Sequence, residues 1–254
     1  MDLQHAKKEF EHYLDGYDRE DDKIRLKIVH TYGVAECSRR IAQRMGLDQE
    51  DQELAELIGI LHDIGRFEQL KRFHSFEPHT MDHAAFGVQI LFDEGMIRDF
   101  VEDDRWDGII RTAIAKHSGA GDDREGMHAR IIRDADKLDN CRVKLEDTME
   151  TMLGVSASEV GKTTVSPEVM EQFRRKESIL ASTRKTKMDY WLSYMAYFFD
   201  INYRVSMEMI RENNYVARLL GRIPYSNPQT RAQAAEVEET LCRYVEDFCR
   251  GIYS

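Results

Sequence analysis

The feature that most constrains this chain is a histidine and an aspartate side by side at the end of an apolar helix, in Leu61-His62-Asp63-Ile64-Gly65. Leu54, Leu57, Ile58 and Leu61 recur at helical spacing, so this helix turns one face into a core. Asp48 is a natural N-cap, and Gln49, Glu50 and Asp51 fill a first turn that favours negative charge. Gly65 has the character of a C′ residue, which predicts that the helix stops just after the pair. An imidazole and a carboxylate delivered to the inner end of a core helix both need partners. A capping contact or water is enough for an isolated pair, and a motif this short gains meaning only from its context. A metal ion satisfies both groups at once, through a nitrogen and an oxygen ligand. The question for the rest of the chain is whether it brings further ligands to the same place.

Only 4 prolines and 15 glycines interrupt 254 residues, and the stretches between them are long and periodic, so the chain reads as all-α. Its length suffices to bury a sizeable core. A hydrophobic content of 42% and a charged content of 33% are those of a soluble globular protein. The formal net charge of −11 argues against a general partner of nucleic acid or anionic membrane. Cys37, Cys141, Cys242 and Cys249 form no C-x-x-C pair and suggest neither a disulfide framework nor a zinc-thiolate site. The start, Met1-Asp2-Leu3-Gln4-His5, lacks the apolar core of a signal peptide, and no apolar run approaches membrane-spanning length. The expected setting is a reducing cytoplasm.

In chain order, residues 2–14 read as a charged helix with Leu3, Phe10 and Leu14 as its contacts. A long helix runs from about Lys23 to Met45 and carries two apolar stripes, one of which places His30 toward protein between Leu26 and Val34. After the Leu54–Asp63 helix, a polar loop is expected from Arg66 to Thr80. The next helix, about 82–94, is apolar nearly all round and therefore interior, with His83 in its first turn. On a helix over about 105–117, His117 extends the stripe of Ile110 and Ala113. A flexible polar loop is expected over Gly119–Gly126. The helix that follows, about 127–145, holds Asp134, Asp136 and Asp139 among apolar residues, so at least one of them turns inward.

From about 151 to 187 the chain turns polar. Ser166-Pro167 opens a helix with Ser as N-cap and Pro at N1. Arg174, Arg175, Lys176, Arg184, Lys185 and Lys187 form a basic cluster, read either as a solvated surface or as a lid that offers cations to an anionic substrate. Two long helices, about 188–220 and 228–251, complete the chain, with Tyr190, Trp191, Tyr194, Tyr197, Phe198 and Phe199 as core or interface.

The inward-facing candidates are His30, His62, Asp63, His83, His117 and Asp136. Four imidazoles and two carboxylates on converging apolar faces are a costly core without metal, and they suit two divalent transition metals sharing a carboxylate. The order His…His-Asp…His…His…Asp resembles the HD superfamily of metal-dependent phosphohydrolases, over roughly residues 23–145. The resemblance implies a helical HD-domain bundle with additional C-terminal helices. The whole chain, 1–254, is then a single domain, with its metal-site core at about 23–145, a polar insertion or lid at 146–187, and helices 188–254 packed on the core. It also implies that His30, His62, Asp63 and Asp136 hold one metal, and that His83 and His117 place the chain in the dinuclear branch, with Asp63 bridging. His79, four residues before His83, is the competing candidate; the apolar surroundings of His83 favour His83.

The resemblance implies two divalent metal ions, Fe or Mn ahead of others, that polarise a phosphoryl oxygen and generate a hydroxide that attacks phosphorus. Cations near the site stabilise the charge that builds on the phosphoryl oxygens. Arg66, where many members carry lysine, is the best placed for this, with Lys116 and Lys137 as weaker candidates. Asp82, Asp139 and Asn140 are candidates to orient the ligand histidines. The implied substrate is a small phosphate ester, nucleotide-like. The alternatives are a di-iron oxygenase of the same superfamily and a non-catalytic nucleotide-binding sensor. The chain after His117 reads Ser118-Gly119-Ala120-Gly121, without the second adjacent histidine and the Gly-Tyr-Pro stretch of the cyclic-dinucleotide phosphodiesterases.

Overall fold

The computed structural model describes residues 1–77, 79–119 and 126–252, and among them the regular elements are all helices, with no strand. The chain divides into two compact units, Met1–Asp139 and Asn140–Ser254. No helix among the described residues is long and apolar enough to cross a membrane. Most of the loop expected over Gly119–Gly126 lies outside the described residues.

The first unit is built on α1 (Leu3–Leu14), α2 (Asp22–Arg44) and α3 (Gln49–Leu61). Each starts with an aspartate that caps its first backbone amides: Asp2, Asp21 and Asp48. α2 packs along α3, and the approach is close because Gly59 has no side chain. A Cβ there would come within 2.9 Å of the Ala35 backbone nitrogen. Both stripes of α2 are buried, at Ile24, Thr31 and Ala35 on one and at His30, Val34 and Ile41 on the other.

The expectation of a helix ended by Gly65 and followed by a loop is corrected. α3 ends at Leu61, and α4 (Ile64–Phe73) begins almost at once. The break falls on Asp63, whose φ of −105° and ψ of 19° turn the axis. Gly65 lies inside α4 with no positive φ; its role is steric. A Cβ at Gly65 would overlap the His83 carbonyl and come within 2.6 Å of Gly87 N, so the glycine lets α4 lie against α5 (His83–Val88). Phe67 and Leu70, buried one turn apart, carry the apolar stripe of α4. The true connection is only His74–Asp82, opened by His74 at φ 48°.

A π-helical turn, Gln89–Asp93, extends α5. This helix is not interior all round, since Ala85 and Gln89 are exposed. A short α6 (Ile97–Phe100) and a 3-10 turn lead to α7 (Asp107–Lys116), which packs on α3 and α5. α8 (Met127–Glu146) follows. Of its three aspartates, Asp134 and Asp139 are buried and Asp136 is half-buried.

The second unit contains α9 (Met149–Leu153), α10 (Ala157–Lys162), α11 (Pro167–Arg174), α12 (Lys187–Ala196), α13 (Arg204–Glu212), α14 (Tyr215–Leu220) and α15 (Pro228–Cys249). The single long helix expected over 188–220 is instead α12, a 3-10 turn at Tyr197–Asp200, α13 and α14. Tyr203 is extended, and Asn214 takes the left-handed conformation that asparagine tolerates.

Ser166 does precede α11, but its hydroxyl does not cap the helix. It donates instead to Asp189 Oδ2 at 2.6 Å, and the buried Asp189 carboxylate also accepts from the backbone amides of Ser166, Lys185 and Thr186. Much of the basic cluster pairs within this unit: Arg174 with Glu236, Arg175 with Glu171 and Glu177, and Lys185 with Glu168.

Candidate metal centre

The candidate ligands reach one place from helix ends and inward stripes. α2 carries Lys27 and His30 one turn apart. The α3–α4 junction presents His62 and Asp63, and the first turn of α4 adds Arg66. His83 opens α5, His117 caps the end of α7, and α8 contributes Asp136 and Asp139. His30, His62, Asp63, His83 and His117 are all buried, at 7% exposure or less.

These residues form two trios that share Asp63. His30, His62 and Asp63 each offer a ligand atom mutually within 4.8 Å, and so do Asp63, His83 and His117. The carboxylate divides its oxygens between them. Oδ2 faces His62 Nε2 at 3.4 Å, whereas Oδ1 faces His83 Nε2 at 3.3 Å and His117 Nε2 at 3.4 Å. Asp136 sits at the edge of the first trio, with Oδ1 2.9 Å from His30 Nε2. His79 is exposed, and the structure brings His83 to the centre.

The protonation pattern suits a cation. His62 and His117 use the same device: each donates Nδ1–H to the carbonyl three residues back, Gly59 O and Ile114 O, both at 2.7 Å. A carbonyl only accepts, so in the neutral ring Nε2 is left as a bare lone pair. His62 Nε2 is buried and has no hydrogen-bond partner. His83 Nε2 faces His117 Nε2 at 3.1 Å and receives an N–H of Arg66 at 2.9 Å. Lone pairs converging on a buried carboxylate are what a divalent ion needs, so the donor set fits the metal. On the opposite side of its ring, His30 Nδ1 lies 2.7 Å from Asp139 Oδ2, a contact that sets the ring's orientation.

Charge is arranged accordingly. Burial alone would raise the Asp63 carboxyl, but the Lys27 ammonium and His62 hold it well below the usual carboxylate range. Burial likewise acts on Asp136, which its hydrogen bond to His30 and the charge there keep low. For His83, burial, reinforced by Arg66, pushes the imidazole down to about 2 against the pull of Asp63. The centre therefore holds anionic carboxylates, and in His83 a neutral imidazole, which are the metal-binding forms.

Residues 28–141 match the family model for the HD domain. This segment is an HD domain. No curated protein and no solved structure matches the chain. HD domains bind divalent metals and are generally hydrolytic, and the matched segment contains every residue of both trios.

Two of the expected supporting residues have other duties. Asp82 caps α5 through the amides of Ala84 and Ala85, and Asn140 accepts from Lys144 at 3.0 Å. Asp139 does contact a candidate ligand, His30. The charged residue at this centre that sequence reasoning missed is Lys27, whose ammonium pairs with Asp63 Oδ2. Its only sequence signal is its position three residues before His30, on the same helix face.

Proposed function

We propose that this chain is a metal-dependent phosphohydrolase that cleaves a small, nucleotide-like phosphate ester at a dinuclear centre. The observation that carries this reading is the division of the Asp63 oxygens between two trios, His62 with His30 on one side and His83 with His117 on the other. In this reading His30, His62, Asp63 and Asp136 hold one ion, Asp63, His83 and His117 hold the other, and Fe or Mn suits the mixed nitrogen and oxygen donors. Such a pair supplies Lewis acidity toward a phosphoryl oxygen and a water made acidic near neutral pH.

The chain's own residues do the rest. Asp63 stays ionised, so one oxygen is available on each side. His62 and His117 are held by their Nδ1 contacts, so their Nε2 atoms need no reorganisation to ligate. Arg66 stands beside the second trio and carries the planar, permanently charged fork that binds phosphoryl oxygens in pairs. That cation favours a phosphate ester over an oxygenase substrate. The acidic net charge favours a small substrate over nucleic acid.

The test is phosphate release from nucleoside phosphates and bis(p-nitrophenyl) phosphate, with protein loaded anaerobically with Mn(II) or Fe(II). Hydrolysis that chelator abolishes, and that Asp63→Asn lacks, is the expected result. A fully loaded protein that releases no phosphate but consumes oxygen with a small alcohol would overturn the reading in favour of the di-iron oxygenase.

A further inference from the structure

Each trio is met by a cationic side chain of the protein itself. In the first, the Lys27 ammonium pairs with Asp63 Oδ2, the oxygen that also faces His62. In the second, Arg66 donates to His83 Nε2 at 2.9 Å, and its Nε lies 3.7 Å from Asp63 Oδ1. Lys27 is only 15% exposed and Arg66 13%. The connection from α4 to α5 lies over both: Lys27 Nζ stands 5.9 Å from the centre of the Phe76 ring, and Arg66 donates to Phe76 O at 3.4 Å.

The geometry points to Lys27 as a second phosphoryl-binding cation that exchanges partners with the state of the centre. Lys27 neutralises Asp63 and so offsets the cost of a buried carboxylate. A divalent ion held by the first trio would compete for the same oxygen and repel the ammonium. Lys27 would then share Asp63 with the ion while still mostly buried, keeping only the pull of the Asp136 carboxylate, and a further anion would be favoured beside it. An anion bound beside the metals fills that place. The phosphoryl group is thus held from the two sides of Asp63, by Lys27 at the first trio and Arg66 at the second. This assignment rests on the phosphohydrolase reading for the identity of the anion. The exchange itself rests on the shared oxygen.

Lys27→Met keeps the aliphatic stem and removes the charge, and Lys27→Arg restores a cation. Three quantities are read for each protein: the melting temperature without metal, the affinity for Mn(II) by calorimetry, and the affinity of the Mn(II)-loaded protein for inorganic phosphate. Lys27→Met is expected to melt lower without metal. It should bind Mn(II) about tenfold more tightly, since the ion no longer displaces a paired cation. Once loaded, it should bind phosphate at least about tenfold more weakly, the usual effect of losing a charged hydrogen bond. Lys27→Arg should recover most of the phosphate affinity. Should Lys27→Met not fold without metal, Lys27→Gln, which keeps a donor to Asp63, replaces it in all three measurements.

Unchanged Mn(II) affinity, or unchanged phosphate affinity, in the charge-removing variant overturns the assignment of Lys27 while leaving the phosphohydrolase reading intact. A loaded wild type that binds no phosphate overturns both together.

Discussion

The Nε2 atoms of His83 and His117 face each other at 3.1 Å, with a single carboxylate oxygen, Asp63 Oδ1, 3.3 Å from one and 3.4 Å from the other. His117 commits its Nδ1 proton to Ile114 O, so its Nε2 brings a lone pair to this meeting point. A cation placed there converts mutual repulsion into ligation. The expected metal content of protein purified without chelator is therefore about two ions per chain, the number that suits two trios sharing a carboxylate. His83→Ala or His117→Ala should retain about one, because the His30 side keeps its donors. Asp63→Ala, which removes the shared ligand, should retain almost none. Elemental analysis of the variants checks this directly, and full metal content in Asp63→Ala would remove the shared-carboxylate arrangement.

Asp139 acts one step back from the metal. Its Oδ2 holds His30 Nδ1 at 2.7 Å in a site where both side chains are almost wholly buried. Contacts of this kind fix the ring and raise its basicity, and their loss costs about 10–100-fold in metal affinity. Asp139→Ala should weaken binding at the first position by that order and leave the second position, with His83 and His117, near its original affinity. A calorimetric titration that resolves the two events distinguishes this from a general loss of folding, which would weaken both.

Gly65 sets the distance between α4 and α5. Gly65→Ala pushes a methyl group into the His83 carbonyl and the Gly87 amide, both of them backbone, so no side-chain rotation relieves it. Overpacking of this sort costs about 1–3 kcal/mol. Because the displaced residue is His83 itself, the variant should lose metal at the second position as well as stability. Urea denaturation of the metal-free protein, together with metal content, measures the two effects separately.

Most of the centre was legible because its residues sit at positions that periodicity identifies. His30 lies within an apolar stripe, His117 extends one, and His62-Asp63 closes a core helix, so burial follows from the pattern; convergence does not, since the equally buried His128 meets Asp51 instead, and it was the resemblance in ligand order that grouped these residues. Lys27 was not legible, because a lysine on a charged helix reads as solvated until its partner is known. That partner is 36 residues away in sequence. Gly65 misled for a physical reason. A glycine serves either a left-handed backbone or a close approach, and sequence alone does not distinguish the two. Reading it as a helix stop hid α4, even though Phe67 and Leu70 carry the spacing of a buried face. The division of 188–220 into α12, α13 and α14 was hidden as well, because neither proline nor glycine marks the breaks: a 3-10 turn follows α12, and the left-handed Asn214 follows α13.

The buried, uncharged His83 gives the metal-free protein a defined pH response. Its imidazole titrates near 6.5 in the unfolded chain and is pushed down to about 2 in the folded one, chiefly by burial. Below pH 6.5 the unfolded state therefore binds a proton that the folded state refuses. The stability contribution is fully present above 6.5 and is lost progressively as the pH falls from there toward 2. One proton corresponds to a slope of at most about 1.4 kcal/mol per pH unit. Asp63 and Asp136 are both held below their ordinary carboxylate values, so they add to the loss only once the pH passes below about 3.8. Between these limits His83 should dominate. Urea unfolding of chelator-treated protein at pH 7, 6 and 5 should show falling stability, and the slope should be markedly shallower in His83→Gln. An equal slope in that variant would assign the loss to other groups.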